Sequence, residues 1–88
     1  MELKIGAVVQ SVRGHDEGFF AVLQREGKFA YLANGKLRPM EKPKKKNVRH
    51  LRDTGLRLDL SGIRTDRGLR AALRTAIEEE GRSWQKKM

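Results

Sequence analysis

Residues 19–35 read FFAVLQREGKFAYLANG and carry the clearest strand and turn signals in the sequence. It holds two short apolar runs, residues 19–25 and residues 28–33, with a Glu-Gly turn between them and Asn34-Gly35 after them. Short runs rich in aromatic and β-branched residues and bounded by turn residues are typical of β-strands. Asn-Gly is a strong hairpin signal because both residues tolerate a positive φ angle. The stretch therefore predicts two antiparallel strands and a further hairpin at Asn34-Gly35.

The segments on either side extend this pattern. Upstream, residues 5–12 form a short run rich in β-branched residues, and residues 13–18, which include two glycines, close this run with a turn. Downstream, residues 36–38 are expected to continue outward from the Asn-Gly turn, and residues 47–51 to form a last short strand. Five short strands with tight turns in about fifty residues predict a small, strongly bent antiparallel barrel.

The C-terminal part predicts one docked helix. Leu56, Leu58 and Leu60 alternate with charged residues, as in an extended segment that lies on an apolar surface. Thr65 is a candidate N-cap, with Asp66 in the first helical turn. One helix face is apolar at Leu69, Ala72, Leu73, Ala76 and Ile77, and Gly81 is a candidate stop.

A helix over residues 66–80 is marginal by itself, so we expect it to dock on the barrel. The predicted organisation is a barrel in residues 1–54, followed by an extended segment, a helix and a short tail in residues 55–88. A chain of 88 residues makes one domain at most and buries a thin core.

The amino-acid composition helps to predict the cellular compartment of the protein. The chain has no cysteine, which removes disulfides and thiolate metal sites and fits a reducing cytoplasm. The N-terminal residues 1–12 carry charges and lack a long apolar run, so we expect neither a signal peptide nor a membrane span. The expected location is the cytoplasm.

Positive charge is concentrated in the middle of the chain. Residues 37–52 contain seven basic residues and one acidic residue, which is six of the nine net positive charges. A local basic patch favours a polyanionic partner, because each phosphate that it neutralises releases counterions.

The N-terminal part contains GAVV at 6–9, Ser11 and GHDEG at 14–18, followed by the apolar run. In these residues the sequence resembles the KOW motif, a strand–loop–strand unit of ribosomal proteins and transcription elongation factors. The later blocks YLANG, KPKKKN and HL, at 31–35, 42–47 and 50–51, look like the short bacterial KOW-domain RNA-binding proteins.

Those proteins are similar to archaeal and eukaryotic large-subunit ribosomal proteins, and the resemblance covers residues 4–52. It implies an SH3-like five-stranded barrel that binds RNA, most plausibly ribosomal RNA of the large subunit. The chain departs from the family at residues 14–18, a loop that often contacts RNA in KOW domains but here contains no lysine.

The candidate RNA-binding residues are basic groups of the central segment and its neighbours. They are Arg13, Arg38, Lys42, Lys44, Lys45, Lys46, Arg49, His50 and Arg52. In an extended chain Lys42, Lys44 and Lys46 share one side at intervals of about 6.6 Å, which suits a row of phosphates. The alternative is a solvated connector whose lysines and prolines protect a sheet edge.

The helix offers a possible second surface at Arg67, Arg70 and Arg74, which share a face nearly opposite the leucines. Its alternative is a solvated face whose arginines partly pair with Glu78 and its neighbours.

Five aromatic residues could stack on bases, but strand aromatics are more often part of a core. They are Phe19, Phe20, Phe29, Tyr31 and Trp84. Phe19 and Phe20 cannot both point inward without a bulge. Trp84 either covers the base of the helix or stacks on a partner.

Catalytic and metal-binding patterns find no support. The only histidines are His15 and His50, and no nucleophile–base set follows from the spacing. His15, Asp16 and Glu17 are adjacent on a turn and point apart. We therefore predict an RNA-binding module without cofactor, metal or small-molecule substrate. The alternative is a protein-interaction adaptor whose SH3-like barrel binds an acidic or extended peptide.

Overall fold

The computed structural model of the chain describes residues 3–11 and 18–79, in which five β-strands precede one α-helix. The strands are β1 (Ala7–Ser11), β2 (Phe19–Glu26), β3 (Phe29–Ala33), β4 (Lys44–Asn47) and β5 (Leu51–Arg57). The helix α1 spans Asp66–Glu79, and short 3₁₀ turns occupy Val48–His50 and Leu60–Gly62. The predicted class, mainly β with a C-terminal helix, is confirmed.

The five strands form one antiparallel sheet that curls on itself. Their order is β4-β3-β2-β1-β5, so β4 and β5 are the two edges. Only the turn Val48–His50 separates these edge strands in the chain, and at about 2 Å per residue it spans about 6 Å. The sheet must therefore bend until its edges approach each other. A hydrogen bond of 2.6 Å from Lys46 Nζ on β4 to Ser11 Oγ on β1 crosses the gap. The result is a small barrel-like fold.

The inner face of the sheet encloses the first of two apolar cores. Strand alternation sends every second side chain inward, with the 3₁₀ turn contributing the half-buried Val48 at the margin. The inner core consists of Leu3, Ala7, Val9, Phe20, Val22, Ala30, Leu32 and Leu51.

A second core lies on the outer face of the same sheet, beneath α1. It joins Val8, Ala21 and Ala33 of the strands to Leu69 and Leu73 of the helix, and all five side chains are buried. Around this outer core pack Phe19, Leu23, Met40, Leu56, Leu58, Leu60 and Ile63. The predicted docking of the helix and of the leucine-rich segment is thus confirmed.

Burial on both faces explains why β1 and β2 read as continuous apolar runs. Phe20 faces the inner core, while Phe19 lies beside the outer core, so the two neighbours need no bulge to be covered. Ile77, also expected against the barrel, is only half-buried.

The start of the helix follows the prediction. The Thr65 hydroxyl accepts a hydrogen bond of 3.0 Å from the Gly68 backbone N–H, which is the bond expected of an N-cap side chain. The predicted boundary between residues 54 and 55 falls inside β5, and the outer core joins residues on both sides of it. Gly81 lies outside the described residues.

The strand boundaries after β3 differ from the prediction. The expected hairpin at Asn34-Gly35 is wrong, because β3 ends at Ala33 and residues 34–43 form a loop. The Asn34 side chain explains this outcome, since its Oδ1 accepts the backbone N–H groups of Lys36 and Arg38, both at 3.0 Å. The last strand begins at Leu51 instead of ending there, and the lysines of residues 44–46 form β4.

Candidate nucleic-acid interface

The central basic segment consists of two structural pieces, a loop and an edge strand. The loop, residues 34–43, folds around its own first residues. The carbonyl oxygen of Arg38 accepts hydrogen bonds from the N–H groups of Asn34 at 3.0 Å and Gly35 at 3.1 Å. Together with the two bonds that the Asn34 side chain accepts, they close a turn at the start of the loop. These bonds hold the loop in one conformation near its start.

The same loop is attached to the N-terminus of α1. The Met40 N–H donates a hydrogen bond of 2.7 Å to Asp66 Oδ1, and the Met40 side chain packs on the outer core. Gly35 has a φ angle of +77°, and a Cβ at this position would collide with the Asp66 carbonyl oxygen. Glycine is therefore required where the loop passes over the helix. The loop is held at both ends.

This attachment makes the two basic surfaces predicted from the sequence adjoin each other. The Cγ atom of Arg70 lies 3.2 Å from the position that a Gly35 Cβ would occupy. Arg67 and Arg74 flank Arg70 along the helix, and all three side chains are exposed. We call this region the loop–helix surface; its exposed basic residues are Lys36, Lys42, Arg67, Arg70 and Arg74, and Arg38 is half-buried within it.

Within the described residues, the helix arginines Arg67, Arg70 and Arg74 make no ion pair with the acidic end of the helix. In residues 3–11 and 18–79, Glu78 and Glu79 lie beyond 4.0 Å from them, and the ion pair formed there is Lys45–Glu26. The described residues therefore contain no contact that supports pairing of Glu78 with these arginines. The side chains of Arg67, Arg70 and Arg74 are exposed, so an anion can reach them.

The three lysines of β4 differ in their surroundings. Lys44 and Lys46 share the inward-facing side of the edge strand, opposite Leu32 and Ala30 of β3. Lys44 is exposed, whereas Lys46 is half-buried and its ammonium group donates to Ser11. The expected row of equivalent lysines is therefore not present, because the curled sheet uses Lys46 to bridge its edge to β1.

Lys45 faces the opposite side of β4 and lies in an aromatic environment. Its Nζ atom is 4.6 Å from the centre of the Phe29 ring and 3.8 Å from Glu26 Oε1. Tyr31, directly across from Lys45 on β3, donates its hydroxyl hydrogen to the same Glu26 oxygen at 3.2 Å. Lys28 Nζ lies 5.9 Å from the Phe29 ring centre. We call these five side chains the aromatic patch.

The aromatic patch corrects the expectation that most strand aromatics belong to a core. Phe29 and Tyr31 are half-buried and belong to neither core, while Phe19 and Phe20 pack as expected. The signal was present in the alternation of residues 29–32, where small or aliphatic Ala30 and Leu32 take the inward positions. Sequence reasoning missed it because the pairing of β3 with the lysine strand was not predicted.

The remaining candidates lie where β4 turns into β5. Arg49 is exposed in the 3₁₀ turn, and its N–H donates to Asn47 Oδ1 at 3.0 Å. His50 is half-buried, and Arg52 is exposed opposite Gln10 of β1. Arg13 and Trp84 lie outside the described residues, as do His15, Asp16 and Glu17.

One carboxyl group away from these surfaces has a shifted pKa. The Ser61 hydroxyl and the Ser61 N–H both donate to Asp59 Oδ1, at 2.6 and 3.1 Å. The two bonds hold the pKa of Asp59 below its ordinary value of 3.8, the hydroxyl bond having the larger effect. Asp59 thereby caps the turn at Leu60–Gly62.

Comparison of the chain with protein-family models and with curated proteins gives no match. Within the described ranges, no helix combines the length and apolar character needed to cross a bilayer. In the same ranges, no three His, Asp or Glu side chains converge as a metal site would require. The proposals below therefore depend on the loop–helix surface, the basic residues of the barrel edge and the aromatic patch.

Proposed function

We propose that the chain is an RNA-binding module that holds structured RNA by its phosphate backbone, with the loop–helix surface as the main contact. The observation that carries this proposal is the fixed juxtaposition of the loop and the helix at Gly35 and Arg70. It places exposed basic groups from two distant parts of the sequence side by side.

The rigidity of the loop supports binding because it lowers the entropy cost of association. The loop is held by the Asn34 side chain at its start and by the Met40–Asp66 bond near its end. An ordered surface loses less conformational freedom on binding than a mobile tail does. Arginine also suits this role, since its planar guanidinium group binds phosphate through two parallel hydrogen bonds.

Exposed Lys44, Arg49 and Arg52 extend the positive surface along the barrel edge. Lysine at an edge strand also protects that edge from pairing with other strands, so Lys44 and Lys45 serve both roles. Ribosomal RNA of the large subunit is the first candidate ligand, since residues 4–52 resemble KOW-domain proteins that bind it. This function is one of binding in the cytoplasm and requires no cofactor and no reaction.

The dependence of affinity on salt tests the proposal. Three double variants each remove two positive charges. They are Lys36→Ala with Lys42→Ala in the loop, Arg67→Ala with Arg70→Ala in the helix, and Lys44→Ala with Lys45→Ala on β4. A matched control removes the exposed charges of Lys4 and Arg57.

For a duplex ribosomal RNA fragment, the removal of one lysine or arginine that neutralises a phosphate should flatten the plot of log affinity against log salt by roughly 0.7–0.9. The loop and helix variants should each flatten the plot by about 1.5, and the control should leave it unchanged. Equal flattening in all four proteins would mean attraction by net charge alone, and the assigned surface would be wrong. No binding of the wild-type protein to any RNA would remove the function.

A protein-interaction adaptor is the second candidate, and one groove favours it. Ile5 is 52% exposed and lines a groove of about 480 Å³ together with Leu58, Leu60 and Arg57. Asp59 also lines this groove, so an extended peptide with an apolar anchor would match it better than an acidic one. Peptide binding that is abolished in Ile5→Ala while RNA binding is absent would favour the adaptor.

Sedimentation of cell lysate at low and high salt would show whether a ribosomal particle carries the protein.

A further inference from the structure

The aromatic patch is chemically distinct from the rest of the positive surface. Alternation places Phe29, Tyr31 and Ala33 on the outer face of β3. The helix covers only the Ala33 end of that face, because Ala33 belongs to the outer core and the two aromatic residues do not. Among the described residues, α1 therefore leaves the two half-buried rings outside the outer core, about 7 Å apart along the strand.

Cationic groups border these rings. The ammonium groups of Lys45 and Lys28 lie 4.6 and 5.9 Å from the Phe29 ring centre, within the range of a cation–π contact. The Lys45 side chain is 50% exposed, so its ammonium group can leave the ring for a phosphate without moving the strand. Rings beside mobile cations match the two parts of a nucleotide, its base and its phosphate.

The acidic member of the patch argues against a row of phosphates at this position. Glu26 accepts the Tyr31 hydroxyl hydrogen and lies 3.8 Å from Lys45, with 60% of its side chain exposed. Its negative charge repels a phosphate placed directly over the rings. The same carboxylate can accept a hydrogen bond from the amino group of a base.

We propose that the aromatic patch binds unpaired bases of a structured RNA by stacking them on Phe29 and Tyr31, while Lys45 and Lys28 contact the adjoining phosphates. Aromatic side chains on a sheet surface stack single-stranded bases in other RNA-binding folds, because every base presents a π face. The proposal rests on the RNA-binding function above and specifies its ligand as RNA with a loop or bulge, held by its paired part on the loop–helix surface.

Two RNA probes separate this inference from general phosphate binding. One is a hairpin with an unpaired loop, and the other is a blunt duplex with the same number of phosphates. The double variant Phe29→Leu with Tyr31→Leu removes both rings and keeps apolar bulk. The single variant Tyr31→Phe keeps both rings and removes only the hydroxyl group. Ile5→Ala is a control for the removal of an exposed apolar side chain elsewhere on the barrel.

The double leucine variant should lose about tenfold in affinity for the hairpin, the loss expected when base–aromatic stacking is removed. Its affinity for the duplex should change by less than about twofold, because phosphate contacts remain. A protein with Tyr31→Phe as its only change should bind both probes like the wild type, as should the Ile5→Ala control. Equal losses for hairpin and duplex, or no loss for either, would overturn the inference while leaving phosphate binding in place.

An experiment on the unmodified protein covers the case in which the double variant fails to fold. Ultraviolet crosslinking of the hairpin, followed by peptide mass spectrometry, should join loop nucleotides to Phe29 or Tyr31. Crosslinks of loop nucleotides confined to other residues would overturn the inference. If the wild-type protein binds neither probe, the proposed function fails together with this inference.

Discussion

Replacing Leu69 by alanine tests whether the helix is an integral part of the domain. The Leu69 side chain of α1 is 0% exposed and belongs to the outer core with the strand residues Val8, Ala21 and Ala33. The substitution removes three carbon atoms, which at about 0.8 kcal/mol for each buried carbon gives about 2.4 kcal/mol of transfer free energy. The cavity left behind adds to this loss, so the free energy of unfolding should fall by about 3 kcal/mol.

That loss is large for a chain of 88 residues, whose total stability is expected to be about 4–13 kcal/mol. At about 4–8 °C per kcal/mol, the melting temperature should fall by about 12–24 °C. Urea unfolding followed by circular dichroism measures the change. Leu37→Ala is the matched control, because Leu37 is 60% exposed and its removal should change stability by less than about 0.5 kcal/mol.

A loss of stability at Leu69 no larger than at Leu37 would refute the docking of the helix and the existence of the outer core. The consequence reaches the proposed interface, since Arg67 and Arg70 are held beside the loop only while the helix is docked.

Other substitutions test the contacts around the helix and the turns. Gly35→Ala should destabilise the protein by about 1–3 kcal/mol, because the Cβ would meet the Asp66 carbonyl at a φ angle of +77°; Gly62→Ala, with open space around it, should not, and equal urea midpoints for the two would contradict the close approach. Thr65→Ala should cost about 1 kcal/mol through removal of the helix cap, and Thr65→Ser should restore most of it in thermal melts. The pKa of Asp59 lies below 3.8 in the folded chain, so its stabilising contribution is present above the ordinary carboxyl pKa and is lost as pH falls through the lowered value. Carbon-detected NMR titration should show this pKa rising towards 3.8 in Ser61→Ala, and an unchanged value would exclude the hydroxyl bond as its cause.

The local elements were accessible to sequence reasoning because their causes lie within a few residues. The apolar runs of β1 to β3, the Thr65 cap and the leucine face of α1 each depend on neighbours in the chain. The main local failure, the hairpin at Asn34-Gly35, has a local cause too. The Asn34 side chain competes for the backbone N–H groups that a returning strand would need, and this competition is hard to distinguish from a turn signal.

The class of fold, the single helix and the concentration of positive charge all follow from the order of residues along the chain. Which of the basic groups lie side by side depends instead on long-range packing. Lys46 is drawn to Ser11, 35 residues away, because the sheet curls, and the loop meets the helix through a bond between Met40 and Asp66, 26 residues apart. Such contacts arise from packing the two faces of one sheet, and they join residues too far apart in the chain for a local pattern to show which face the helix will cover.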